Sequence, residues 1–490
     1  MNRNSLTTAV IAGIAGVAGI ANMASAVNLN PDGLGQVLLY PYYTVNSGQQ
    51  TLLSVVNTTN IGKAVKVRFL EGYNSREVLD FNLFLSPYDV WTANVFSLSD
   101  AGVSGSGAGI FSADNSCTAP QFTSGPLANG YGYQAFLHYG YTGDLSDTGP
   151  TSDTRTREGH FEMISMGDID PQSDLAGDIT HVASVPPGCA HAESDFETGG
   201  SFSSIVAPTG GLFGSASVVN VAQGTFYAYN ADALEGFTDS TLGSGTGSLS
   251  PSLSDVSPPV ANVFSNGNVV TASYSFAIDA VSAVFDASNL YNEWQSSDSV
   301  GSDWVVTFPT KRFYVDPLYT SSPHAFPPFE QGFGEVYDGL SCDVIGISLF
   351  DREENTTSTP TCGFSPCPPG QPPSSLCHET NVITFGGNGG SSILGSGLTS
   401  NIDTTALGSN GWMGLSFTDA SHGGTSPSGD AHAMDQSENG VTFYGLPTTG
   451  FEAVNFLNSN VAGGVLANYS GVYRHRSSRC ADTAATGSCS

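Results

Sequence analysis

The feature that most constrains this chain is a strict two-residue alternation that recurs along its length. In AVKVRFL (64–70), Val65, Val67 and Phe69 point one way while Lys66 and Arg68 point the other, the pattern of a half-buried strand. VLDFNLFLSPYDVWTANVF repeats it: Leu79, Phe81, Leu83 and Leu85 share a face, Pro87 interrupts, and Trp91, Ala93 and Val95 resume. GQVLLYPYYTV (35–45) and TLLSVVNTT (51–59) form a further pair across the turn NSGQ. Strands at this spacing, joined by Gly, Asn and Pro turns, predict a mainly β chain: an antiparallel β-sandwich of immunoglobulin-like character.

Long insertions elaborate it. Residues 100–130 are glycine-rich and read as loop, 239–262 as a Ser/Gly/Pro linker, and 351–380 as an irregular Pro- and Cys-rich excursion. One helix is predicted over 275–294, where Ile278, Val281 and Phe285 recur at three-to-four spacing without Gly or Pro. No fixed repeat period occurs. The expected organisation is a β-sandwich unit over 27–475, with an alternative split near 240–265, and a disulfide-bearing tail over 476–490.

Residues 1–26 read as an export signal: Arg3, a short apolar core and the small-x-small site Ala24-Ser25-Ala26. Without Arg3 the chain keeps 12 basic residues against 44 acidic, a net charge of −32. That excess argues against nucleic-acid binding, which needs a basic footprint. Charged residues are only 12% of the chain, about half the usual share, and Gly contributes 59 positions. The even number of cysteines fits an oxidising compartment. Proximity favours Cys362–Cys367 and Cys480–Cys489 as small loops, leaving Cys117–Cys189 and Cys342–Cys377. No stretch of the mature part reads as a transmembrane segment.

Leu446-Pro447-Thr448-Thr449-Gly450 matches a wall-sorting signal. The polar residues that follow, Glu452, Asn455 and Asn458 among them, break any spanning run, so it reads as a turn between strands. Nucleophile-elbow, HExxH, haem-attachment and Walker A patterns are absent, and GGNGGSSILGSG lacks the phosphate-binding lysine. Asp168, Asp170, Asp174 and Asp178 in GDIDPQSDLAGD supply closely spaced oxygens of the kind calcium takes, and 428–440 is a second acidic loop of this type. His160, Met163 and Met166 offer soft ligands of the type copper prefers, although a strand would turn Met163 away from the other two. Tyr40 and Tyr42 share a strand face on which a sugar could stack.

LNPDGLGQVLLYPYYTV, LLSVVNTTNIGKAVKVRFLEGYNSREVLDFNLFLSPYDVWTA, GTFYAYNADAL, DWVVTFPTKRFYVD and YGLPTTGFEAVNFLN together resemble a group of uncharacterised exported proteins of Gram-negative bacteria. The resemblance covers most of the mature chain. It implies export and one β-rich unit, and it brings no activity and no catalytic residue. The expectation is a non-catalytic structural or adhesion protein of the cell surface or extracellular space, or else of the periplasm, with itself or a surface glycan as partner. The alternative is a secreted carbohydrate-binding or carbohydrate-active protein.

Overall fold

The computed structural model describes residues 26–197, 202–320, 325–333, 339–356, 375–387, 392–417, 432–458, 461, 463–465 and 467–484. The stretch read as an export signal, up to Ser25, lies outside these residues, as do Cys362, Cys367, Cys489 and positions 428–431 of the second acidic loop.

The chain is mainly β, and among the described residues its strand pairs are antiparallel but for one, Thr380–Phe385 with Thr399–Ile402. Two sheets form the first sandwich. One is a six-stranded layer in the order Thr225–Asn230, Leu212–Asn220, Gln50–Asn57, Val90–Ser97, Ala108–Phe111, Tyr133–Ala135. Its strands alternate cleanly, with Leu53, Val55, Trp91, Val95 and Val218 turned inward. Facing it is an eight-stranded layer built around Val37–Thr44, Glu158–Ile169, Lys63–Glu71 and Glu77–Leu85. Tyr40, Tyr43, Val67, Phe69 and Phe161 complete the core between the two.

The eight-stranded layer is buried on both faces. Lys66 and Arg68, expected to meet solvent, are 0% and 1% exposed. A third layer covers them, so the alternation marks two different interiors, one apolar and one ionic. Lys63 pairs with Asp168 at 2.5 Å, Lys66 with Asp80, and Arg68 with Glu77 at 2.6 Å and Glu162 at 3.0 Å. Register explains the last pairing, since Arg68 stands directly opposite Glu162 on the neighbouring strand.

Over Arg68 sit the Pro251 carbonyl and the Arg312 side chain, and the second half of the chain packs against Val37, Leu39, Ile164 and Leu234 of the same layer. A nine-stranded assembly runs Gly346–Asp351, Asn410–Ser416, Asn289–Ser297, Val300–Thr307, Thr380–Phe385, Thr399–Ile402, and Thr449–Phe456 adds to Val300–Thr307. Its apolar core holds Trp294, Trp304, Met413 and Phe385 together with Val37, Leu39, Ile164 and Leu234 of the first half. The 239–262 stretch is packed: Leu253 and Val256 are buried, Ser244 and Pro251 carbonyls accept from Asn82 and Arg68, and Val260–Ser265 opens a hairpin. Polar contacts also cross between the halves, with Arg312 reaching Glu162 and Arg76 reaching Asp316.

Several local expectations change. The helix spans only Ala277–Phe285, and Asn289–Ser297 is strand. The three-to-four spacing of Ile278, Val281 and Phe285 marks the helix correctly, and Leu290 and Trp294, four apart, share a face in helix and strand alike, so the helix's end is not marked by spacing. Short helices also form at Asp174–Ile179, Cys189–Asp195 and Arg312–Val315. The glycine-rich 100–130 region contributes the strands Ala108–Phe111 and Cys117–Ala119. Beyond residue 475, Arg476–Ser478 pairs with Asn289–Ser297 and Ala481–Asp482 with Thr442–Phe443.

Leu446 is buried, and Leu446–Pro447 pairs with Asp286–Ala287 before Thr449–Phe456 enters the sheet. Gly450 has φ +148°, and a Cβ there would stand 1.9 Å from the Val305 carbonyl oxygen, so only glycine fits. Disulfides join Cys117 to Cys189 and Cys342 to Cys377, and Cys480 is also disulfide-bonded.

Candidate functional site

The two strand groups of the second half part company at one corner. Tyr469–Arg474 pairs with Thr449–Phe456 in one group, and Arg476–Ser478 pairs with Asn289–Ser297 in the other. His475 is the pivot between them. Its Nε2 donates to the Val305 carbonyl at 3.0 Å and its Nδ1 accepts from the Asn292 amide at 3.3 Å, an assignment that follows because burial lowers its pKa to about 4 and keeps it neutral. The imidazole also packs on Trp304, with ring centroids 4.8 Å apart.

A cleft of about 420 Å³ opens at this corner. Its walls carry three partly exposed aromatic side chains: Tyr291, Trp412 and Tyr473 are 37%, 43% and 56% exposed. Trp412 is braced by Phe350 on the next strand, stacked at 4.5 Å and 12°. Tyr291 lies over Gly414, where a Cβ would meet its ring at 3.2 Å. The other walls and floor include Glu293, Glu452, Val454 and Arg476.

Glu452 is the unusual member. It stands between Trp304 and Tyr473, its cross-strand neighbours, while Phe451 and Ala453 on either side face the sandwich core. It is 1% exposed, and its Oε1 has no hydrogen-bond partner within the protein. Burial, and then the charge of Glu293, push its pKa up to about 8. The site thus couples a neutral, buried carboxyl to a solvent-facing carboxylate beneath three aromatic faces. A few convergent polar groups among aromatic walls, with a perturbed acid at the base, is what small-molecule sites present. A larger hollow of about 500 Å³ beside Gln49 and Asn94 has Asp100 as its only ionisable lining residue, and that residue is exposed.

The residues singled out from sequence lie elsewhere. Tyr40 and Tyr42 are fully buried, which corrects their reading as a sugar platform. Their strand is in the middle of three layers, so Tyr40 stacks on Phe161 at 4.1 Å and the Tyr42 hydroxyl donates to Glu158 at 2.8 Å. The four aspartates do not converge. Asp168 is held by Lys63 and the Thr209 hydroxyl, Asp170 accepts from the Gln172 amide, Asp174 opens a helix, and Asp178 meets His191. In the second acidic loop, both ring nitrogens of His432 meet backbone carbonyls, of Pro328 and Val344. His160 is buried beside Arg312 and Arg68, while Met163 and Met166 belong to different apolar clusters. Among the described residues no group of three or more His, Cys, Asp or Glu side chains is arranged to hold a metal.

Sequence reading missed Tyr291, Glu293, Trp412, Glu452 and Tyr473 because they come from four strands spread over 180 residues of chain. One signal was present. In FEAVNF a single glutamate interrupts an apolar strand, and that is where the buried acid sits. Among the described residues no helix is long and apolar enough to cross a membrane. No protein-family profile, curated protein or solved structure matches this chain.

Proposed function

We propose that this is an exported, non-catalytic protein that binds glycan in the corner cleft. The observation that carries the reading is the trio Tyr291, Trp412 and Tyr473, partly exposed and lining one cleft together with Glu293, Glu452 and Arg476. Aromatic faces cover the apolar C–H face of a sugar ring, and carboxylates with an arginine meet its hydroxyls. Export is supported by the signal-like first 26 residues and by disulfides that persist in oxidising compartments. Glycan binding at a surface is also how an adhesion role would be carried out. The test is a glycan array probed with the oxidised mature chain and with Trp412→Ala. The expected result is binding to a defined subset of glycans, weakened about tenfold or more by the substitution, or roughly 1.4 kcal/mol. Silence across the array removes the reading.

A second reading, self-assembly, is favoured by the outer face of the six-stranded layer. Phe213, Val56 and Val90 stand directly opposite one another across three strands, with Leu52 and Phe226 exposed nearby by 43% and 55%. Sedimentation of a uniform monomer at all concentrations would dispose of it.

A further inference from the structure

Resting on the reading of the corner cleft as a glycan site, we infer that its ligand is a cationic amino sugar, with an ammonium group held between Glu293 and Glu452 and its ring against Trp412 and the two tyrosines. The geometry carries this. Glu452 Oε1 is a buried acceptor without a donor, and leaving such an atom unpaired costs about 1–3 kcal/mol. An ammonium group brings three donors and no acceptor, which matches Glu452 once its carboxyl is ionised and only accepts. The surrounding aromatic faces attract cations through their quadrupoles, and a partly desolvated corner strengthens that attraction. A neutral acetamido group offers a single N–H donor and no positive charge, so it meets the first demand only in part and the second not at all.

The charges facing the cleft agree. Glu293 and Glu452 are its acids, and Arg476 is its one lining base, with Nη1 donating to the Arg474 carbonyl at 3.1 Å. Arg474 itself is turned to Asp232 at 2.7 Å. His475 behind the floor is neutral. With both glutamates ionised the lining carries one net negative charge. A bound ammonium stabilises the ionised form of Glu452, whose carboxyl is otherwise held neutral by burial, so ligand uptake releases a proton.

The experiment is calorimetric titration of the oxidised mature chain at pH 6 with three probes: a β-1,4-linked glucosamine tetramer, its fully N-acetylated counterpart, and tetralysine. The glucosamine tetramer is expected to bind at least about tenfold more tightly than either of the others. Glu293→Gln and Glu452→Gln each abolish that preference. Repetition in two buffers of different ionisation enthalpy detects proton release with the parent chain and none with Glu452→Gln. Equal binding of the two tetramers overturns the amino-sugar proposal and leaves the glycan reading in place. Tetralysine binding as tightly as glucosamine overturns the sugar part. Failure of both tetramers here, joined to a silent array, overturns both.

Discussion

Arg68 concentrates the energetics of the interior in one side chain. Its guanidinium is 1% exposed and lies between Glu77 and Glu162, and Glu162 in turn meets Arg312 at 3.4 Å. Desolvation opposes its charge, and the two glutamates more than offset that, so its pKa stands above the usual arginine value. Removing one partner strands the others in a medium that cannot solvate them. Arg68→Met should therefore cost about 3–5 kcal/mol, read from the denaturant midpoint at constant m-value. A loss below about 1 kcal/mol would mean that water reaches the layer. The alternation in AVKVRFL made the strand and the direction of Arg68 legible. What lies above that face was not, because Glu162 and Arg312 are 94 and 244 positions away and nothing local distinguishes a paired charge from a solvated one. The same holds for the cleft: Thr449–Phe456 is legible as a strand after the LPTTG turn, Asn289–Ser297 reads as part of a helix, and the meeting of Glu293 with Glu452 is a property of the corner.

At the scale of elements, two glycines give opposite predictions. Gly450 enters the Thr449–Phe456 strand with positive φ and with its α-carbon against the Val305 carbonyl. Gly450→Ala forces that pair of strands apart and should destabilise by well over about 1 kcal/mol. Gly177 sits inside the Asp174–Ile179 helix, and a methyl group added there would have nothing within 4 Å, so Gly177→Ala should stabilise by about 0.5–1 kcal/mol. Thermal midpoints of the two variants should move in opposite directions, and a shared direction would contradict the backbone assignment at one of them. Gly450 also shows why LPTTG resembles a sorting signal without being built as one here. Pro447 closes one strand, the glycine admits the next against its neighbour, and the apolar residues that follow fill a sheet.

At the scale of the whole molecule, buried titratable groups set the pH response. Burial raises Asp286 and Asp303 to about 7 and Glu379 and Glu452 to about 8. Unfolded, these acids titrate near 4, so between about pH 4 and 8 the folded chain holds protons that the unfolded chain has released. Stability from these groups is present at low pH and declines as pH rises through that window. The histidines act in the other direction. Burial lowers His160 and His378 to about 3 and His475 to about 4, so stability falls as pH drops from about 6.5 toward those values. Above pH 6.5 these three histidines drop out and the buried acids remain, each worth up to about 1.4 kcal/mol per pH unit. Calorimetry should find a lower thermal midpoint at pH 8.5 than at pH 6.5, and a rise over that interval would contradict the burial of these acids.

The corner cleft can be read directly through tryptophan. Of the four tryptophans, Trp91, Trp294 and Trp304 are fully buried and Trp412 is 43% exposed, so acrylamide quenching of the folded chain reports mainly on Trp412. The measurement is that quenching with and without a glycan selected from the array, using Trp412→Phe as the blank. Binding in the cleft predicts that saturating glycan shields Trp412 and that the difference vanishes in Trp412→Phe. A glycan that binds while Trp412 stays equally quenchable would contradict the account and place recognition elsewhere on the molecule.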